Sequence, residues 1–252
     1  MRWIPLEANP QYMNNLGVVE GPWKFIDIFS LDDVMLAFIP EPVISLLFLY
    51  PLETSVENAC LGVEDNSSNV ILIKQTVSNA CGTIAILHAI ANNRQHLSIK
   101  DGSFLSSVLD GFENKTPNER GAIVESKREL SILHEKSALE GQTEAPTPES
   151  KTNLHFVCFV EHDGSLYELV LAALALPSQT VYSFKKVYQI RCDVEWLFLC
   201  LVLDGRKNAP ILHGSITSAG FLRDACNIVK KFITCLPESV NFSLMALCPD
   251  GN

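Results

Sequence analysis

The sequence predicts a single domain of the α/β or α+β class, and three observations carry that reading. Its 252 residues suit one large domain and are ample for a buried core. Helix-like periodicity alternates with short strand-like apolar runs along the chain. Two apolar runs flank Asp163-Gly164 in LHFVCFVEHDGSLYEL (Leu154–Leu169), which is a strong hairpin signal. With 29 acidic against 19 basic residues, the net charge is −10. That balance argues against nucleic acid or an anionic membrane surface as the main partner and leaves room for a basic protein.

The elements follow in order. Pro10–Leu16 reads as a short helix and FIDIF (Phe25–Phe29) as a half-buried strand. Ser30 or Asp32 caps a helix that Pro40 and Pro42 stop near Ile39. VISLLFLY (Val43–Tyr50) is a near-continuous apolar run, as a central strand requires. VILIKQ (Val70–Gln75) reads as a short strand leading towards Cys81, and Cys81–Asn92 as a buried helix with few charges. Ser98–Phe112 and Asn118–Glu135 are amphipathic, the second begun by Thr116-Pro117. Residues 137–153, with Gly, two Pro and three Glu, form a long exposed loop of the kind that serves as a lid or binding loop. After the hairpin come ILHG, a helix over Phe221–Phe232 and the strand NFSLMALC.

The hydrophobicity is unevenly placed. Residues 170–203 hold 23 apolar side chains in 34 positions, about 68%, against about 44% elsewhere. The two longest apolar runs there, Leu169–Leu176 (which begins one residue earlier) and Trp196–Leu203, are eight residues each, too short to cross a bilayer at roughly 20 residues per span. The opening, MRWIPLEANPQ, lacks the apolar core of a secretory signal. The eight cysteines (Cys60, Cys81, Cys158, Cys192, Cys200, Cys226, Cys235, Cys248) are therefore expected to be reduced thiols in a cytoplasmic protein. None lies in a CxxC pair or at zinc-ligand spacing, so no metal is expected.

KQTVSNACGT (Lys74–Thr83) is the sharpest chemical feature. A cysteine at the start of a buried helix gains thiolate character from the unpaired N–H groups and the helix dipole. Gln75 offers a side-chain amide to an oxyanion, beside the Cys81 N–H. A base must come from elsewhere in the fold. His88 lies two helical turns from Cys81, about 10 Å along the axis, and cannot reach it. His96 and His134 are expected at solvated helix ends or loops, His162 in the hairpin turn and His213 in a polar stretch. His155 opens a strand directly after the long loop, where a side chain can face a cleft. It leads the candidates without excluding the rest, because a single Cys or His is most often an inert core residue.

QTVSNACGT followed by HAIANN, EGQTEAP, LHFVCFVEHDGSLYEL, LDGRK and the opening WIPLEANP together resemble the ubiquitin C-terminal hydrolases of the small, L3-type subgroup. The resemblance runs from Trp3 to about Leu247. It implies a papain-like cysteine protease of peptidase family C12, one catalytic domain over residues 1–252. Its antiparallel six-stranded sheet would be flanked by helical lobes, with a knotted backbone. By the same resemblance Cys81 is the nucleophile, His155 the general base, Asp204 the acid that orients the imidazole, and Gln75 the oxyanion donor. The implied reaction is hydrolysis after the C-terminal glycine of ubiquitin, or of a ubiquitin-like modifier such as NEDD8. It would proceed through a Cys81 thioester and release small or unfolded leaving groups. Residues 137–153 match the family's crossover loop. Glu7 and Asp27 match acidic positions near ubiquitin's basic tail. A monomer without cofactor, metal, nucleic-acid or membrane partner is implied, in the cytoplasm and also the nucleus.

Two departures stand out. The first helix is about one turn shorter than in relatives. Residues 170–203 interrupt the junction where YEL runs into DGRK: His155 and Asp204 are 49 apart, and removing 34 leaves 15. Such an insertion is harmless only if its ends stay close. If it displaces Asp204, the chain is a catalytically impaired ubiquitin-binding protein or a non-functional splice variant.

Overall fold

The computed structural model describes residues 3–6, 11–19, 21–53, 55–56, 59, 61–140, 153–170 and 209–251. Glu7, Asp204, the segment 171–203 and most of the 137–153 loop lie outside the described residues.

Seven antiparallel strands form one sheet: β1 (Trp23–Asp27), β2 (Ser45–Pro51), β3 (Val63–Glu64), β4 (Leu154–His162), β5 (Ser165–Val170), β6 (Ile211–Ser215) and β7 (Ser243–Pro249). Their spatial order is β1-β7-β2-β4-β5-β6-β3. Six were expected; the seventh is the two-residue β3, which pairs with β6 at the sheet edge. The apolar run around Val43–Tyr50 does become a central strand, flanked by β7 and β4. The hairpin forms as its sequence demands: Asp163 and Gly164 both take positive φ, 47° and 72°, as a two-residue primed turn requires.

Helices cover both faces. On one face α3 (Cys81–Asn92) lies under α1 (Tyr12–Leu16), α4 (Phe104–Asp110), α5 (Pro117–Ser126) and α6 (Arg128–Leu139). On the other are α2 (Asp33–Leu36) and α7 (Phe221–Thr234). Strand alternation divides the core between these layers: Phe156, Cys158 and Val160 face α3, whereas Val157 and Phe159 face α7.

Several boundaries differ from the sequence reading. The helix expected over Asn118–Glu135 breaks at Lys127, whose backbone is extended, into α5 and α6. The second piece runs on to Leu139, past the expected start of the long loop. The helix expected over Ser98–Phe112 shrinks to α4, because Ser103 caps it by accepting the Ser106 N–H. Val70–Gln75 is extended and buried but joins no ladder. Among the described residues no helix is long and apolar enough to cross a membrane.

The connection after β5 leaves and returns at one place. Glu168 pairs with Ile211 and Tyr167 with Leu212, so its two ends lie side by side. Inside that junction the Glu168 carboxylate accepts from His213 Nε2 at 2.8 Å, both side chains buried. His213, expected in a polar stretch, is thus a buried strand residue. Tyr167 donates to Asp65 at 2.9 Å, and the Asp65 N–H donates to the Pro210 carbonyl, which ties the loop after β3 to the same junction.

Candidate active site

Cys81 is the first residue of α3 and is only partly buried, whereas Gly82–Ala91 behind it are fully enclosed. The chain turns into the helix through Asn79, whose φ of 63° is in the left-handed region. Asn is among the few side chains that tolerate it, and here its amide also donates to the Trp3 carbonyl at 2.8 Å. Gly82 next to the thiol is closely covered: a Cβ there would lie 3.0 Å from Leu6 and 3.5 Å from the Phe156 ring.

Burial pushes the Cys81 thiol above its ordinary pKa, and the backbone N–H groups of Phe156, Gly82 and Cys81 itself pull in the opposite direction. Two of those donors belong to the helix N-terminus. The third comes from β4, where β5 ends opposite Val157 and leaves Phe156 beyond the ladder. The structure therefore joins the Cys81 thiol to the residue that follows His155. His155 is buried at the start of β4, opposite Tyr50 of β2, with its ring edge-on to the Tyr50 ring at 6.2 Å. Gln75 is buried six residues before Cys81, and its amide donates to the Val77 carbonyl at 2.8 Å. One of its two amide hydrogens remains for another acceptor. Asp27 is exposed at the end of β1, on the face of the sheet that carries Phe25 and α3. Glu7 and Asp204 lie outside the described residues.

Two further histidines are buried and hydrogen-bonded. His134, expected on a solvated helix end, is fully buried. Its Nε2 lies 2.6 Å from the Ile4 carbonyl, which only accepts, so Nε2 carries the proton. Nδ1 then accepts from Thr83 Oγ1 at 2.7 Å, and Thr83 accepts from Tyr12 Oη at 2.8 Å. This chain ties the Trp3–Leu6 segment to the first turn of α3, and the Trp3 ring lies tilted against His134 with centroids 4.6 Å apart. Burial drops the His134 pKa to about 4. His88 accepts the Ile73 N–H on Nε2 at 2.8 Å, and burial drops its pKa to about 3. The only sequence signal for His134 was a two-turn apolar stripe on α6, with Leu130 and Ala138 buried on either side of it. Among the described residues no group of three or more His, Cys, Asp or Glu side chains is placed to hold a metal.

A partly buried cysteine opens the central helix, which packs on the strand that carries His155 as its second residue, an arrangement open to thiol chemistry. The family model for ubiquitin carboxyl-terminal hydrolase, family 1, matches residues 3–170, and the chain belongs to that family. A ubiquitin carboxyl-terminal hydrolase of Aplysia californica is 34% identical over 243 residues, covering 94% of this chain and 97% of the relative. The human isozyme L1 is 32% identical over 258 residues, covering 98% and 99%. In fold, the chain is similar to the Trichinella spiralis UCH37 catalytic domain, crystallised bound to ubiquitin vinyl methyl ester. That match has a TM-score of 0.70 at 18% identity and covers 99% of this chain and 97% of that one. The protein is a cysteine-type hydrolase of the deubiquitinating family, and these relatives do not favour the impaired or non-functional alternative.

Proposed function

We propose that the protein hydrolyses the bond after the C-terminal glycine of ubiquitin, with Cys81 as nucleophile. The observation that carries this reading is the seating of Cys81 at the N-terminus of α3 against β4, where a Cβ on the next residue, Gly82, would lie 3.5 Å from the ring of Phe156, the residue after His155. His155, one residue away, takes the thiol proton as Cys81 attacks the glycine carbonyl. The Cys81 N–H and the Gln75 amide receive the oxyanion. His155 returns the proton to the leaving amine, leaving a thioester that water cleaves with His155 again as base. Asp204 holds the imidazole tautomer. Because burial raises the resting thiol's pKa, the attacking thiolate depends on that imidazole, which the helix end alone does not replace.

Exposed Asp27, together with Glu7, supplies negative charge for ubiquitin's basic tail, in keeping with the net charge of −10. The enzyme works as a cytoplasmic monomer, and residues 137–153 limit leaving groups to small or unfolded chains. A ubiquitin probe with a C-terminal electrophile is expected to label Cys81, and a fluorogenic ubiquitin substrate to be turned over faster than its NEDD8 counterpart. Cys81→Ala should abolish turnover while ubiquitin affinity persists. Turnover by that variant would defeat the mechanism.

A further inference from the structure

Segment 71–76 is largely buried, yet among the described residues it joins no ladder. Leu72 and Ile73 are core residues, and Gln75 follows them. Buried backbone groups need partners, and here side chains supply them. Asn92, on the last turn of α3, takes both polar groups of one residue: the Ile71 N–H donates to its Oδ1 at 2.8 Å, and its Nδ2 donates to the Ile71 carbonyl at 3.0 Å. His88, one turn earlier on the same face, accepts the Ile73 N–H. From the other side, Arg120 of α5 donates through Nη1 to the Leu72 carbonyl at 3.1 Å and through Nε to the Phe112 carbonyl at 3.0 Å.

The first turn of α5 completes the frame. The Lys74 N–H donates to the Pro117 carbonyl at 3.0 Å, and Thr76 Oγ1 donates to the Gly121 carbonyl at 3.3 Å. Gly121 lies so close that a Cβ there would be 2.2 Å from the Lys74 carbonyl oxygen. Every residue from Ile71 to Lys74, and then Thr76, is held by α3 or α5. Gln75 is the residue that this frame leaves to act.

We propose that Arg120 and Asn92 are positioning residues: together they replace a missing β-strand and fix the backbone that presents the Gln75 amide to the oxyanion. The inference rests on the proposed role of Gln75. Neither residue touches substrate. Their effect falls on transition-state stabilisation, which depends on sub-ångström placement of the donor, and not on ubiquitin affinity. Arg120 does two things at once, so Lys, with one compact ammonium, keeps the charge without reproducing both contacts.

The test is a double-mutant cycle with a fluorogenic ubiquitin substrate, reading kcat and KM separately. Gln75→Ala is expected to lower kcat by about 100-fold, the loss typical of one oxyanion donor. Arg120→Ala and Asn92→Asp should each lower kcat about tenfold with KM within about twofold, and Arg120→Lys should fall between wild type and Arg120→Ala. In the Gln75→Ala background either substitution should cost less than about twofold more, because both act through the missing group. Multiplying losses, or a rise in KM with kcat unchanged, would overturn the positioning role while leaving Gln75 in place. A Gln75→Ala variant with wild-type kcat would overturn the role of Gln75 and this proposal with it. Asn92→Asp keeps the acceptor for the Ile71 N–H, so it carries the test if Arg120→Ala does not fold.

Discussion

His134 and His88 are buried and neutral, His134 hydrogen-bonded through both ring nitrogens and His88 through Nε2. The energetic consequence follows from their depressed pKa values. The unfolded chain binds protons at these imidazoles near pH 6.5, whereas the folded protein resists until about pH 4 at His134 and about pH 3 at His88. Their contribution is therefore complete above pH 6.5 and is lost as pH falls towards 3 to 4. The slope reaches about 1.4 kcal/mol per pH unit for each histidine, so up to about 4 kcal/mol disappears between pH 6.5 and 5. The depressed carboxylates Asp65, Asp110 and Glu119 act below this window, since their ordinary values are already near or below 4.5. Urea unfolding at pH 7 and pH 5 is expected to show that loss, and His134→Gln to be less stable at pH 7 with a visibly shallower slope. Equal slopes for the two proteins would remove His134 from the account. The burial of His88 was legible, because the sequence places it on a buried helix, whereas what buries His134 is the Trp3 segment, 131 residues away, and no local pattern encodes that contact.

At the scale of elements, the parts that were legible carry their own local chemistry. The Asp163-Gly164 hairpin and the charge-free stretch that becomes α3 formed as read. So did α7, whose Phe221, Leu222, Ala225, Ile228, Val229 and Phe232 share its buried face. Val70–Gln75 shows the converse. Its apolar pattern fits a buried extended segment, but a strand also needs a neighbour, and here Asn92, His88 and Arg120 occupy the places of one. The start of α5 was legible because Thr116, Pro117 and Glu119 form a full capping box: the Thr116 side chain accepts the Glu119 N–H, and the Glu119 carboxylate accepts the Thr116 N–H at 2.8 Å. Thr116→Ala should lower stability by about 1 kcal/mol, read as a lower urea midpoint at unchanged m-value. Because Pro117 in that turn also holds Lys74, activity should fall slightly further than stability alone explains. An unaltered midpoint would show that the cap contributes nothing here.

For the whole molecule, the decisive question is what residues 170–203 do to an otherwise complete fold. The family model ends its match at residue 170, where the apolar excess begins. On either side of the connection the structure is tightly closed: Glu168 faces Ile211 in register, His213 bonds the Glu168 carboxylate, and Asp65 links Tyr167 to Pro210. None of these contacts draws on residues 171–203: they come from β5, β6 and the residues flanking β3 and β6. Loop-closure entropy rises only slowly with length, so a connection of this length costs the pairing little; the 23 apolar side chains of residues 170–203 are the larger liability. Deleting residues 170–203 joins Leu169 to Asp204 and leaves the stretch 204–210 to bridge back to Ile211, a short connection of ordinary length. The shortened protein is expected to keep its β-sheet circular dichroism, to scatter less light on concentration, and to label with the ubiquitin probe at Cys81 at least as fast as the full chain. Loss of the sheet signal or aggregation on deletion would mean that the apolar segment packs into the core and belongs to the fold. A folded deletion that labels more slowly would mean that the segment assists Asp204 instead of separating it from His155.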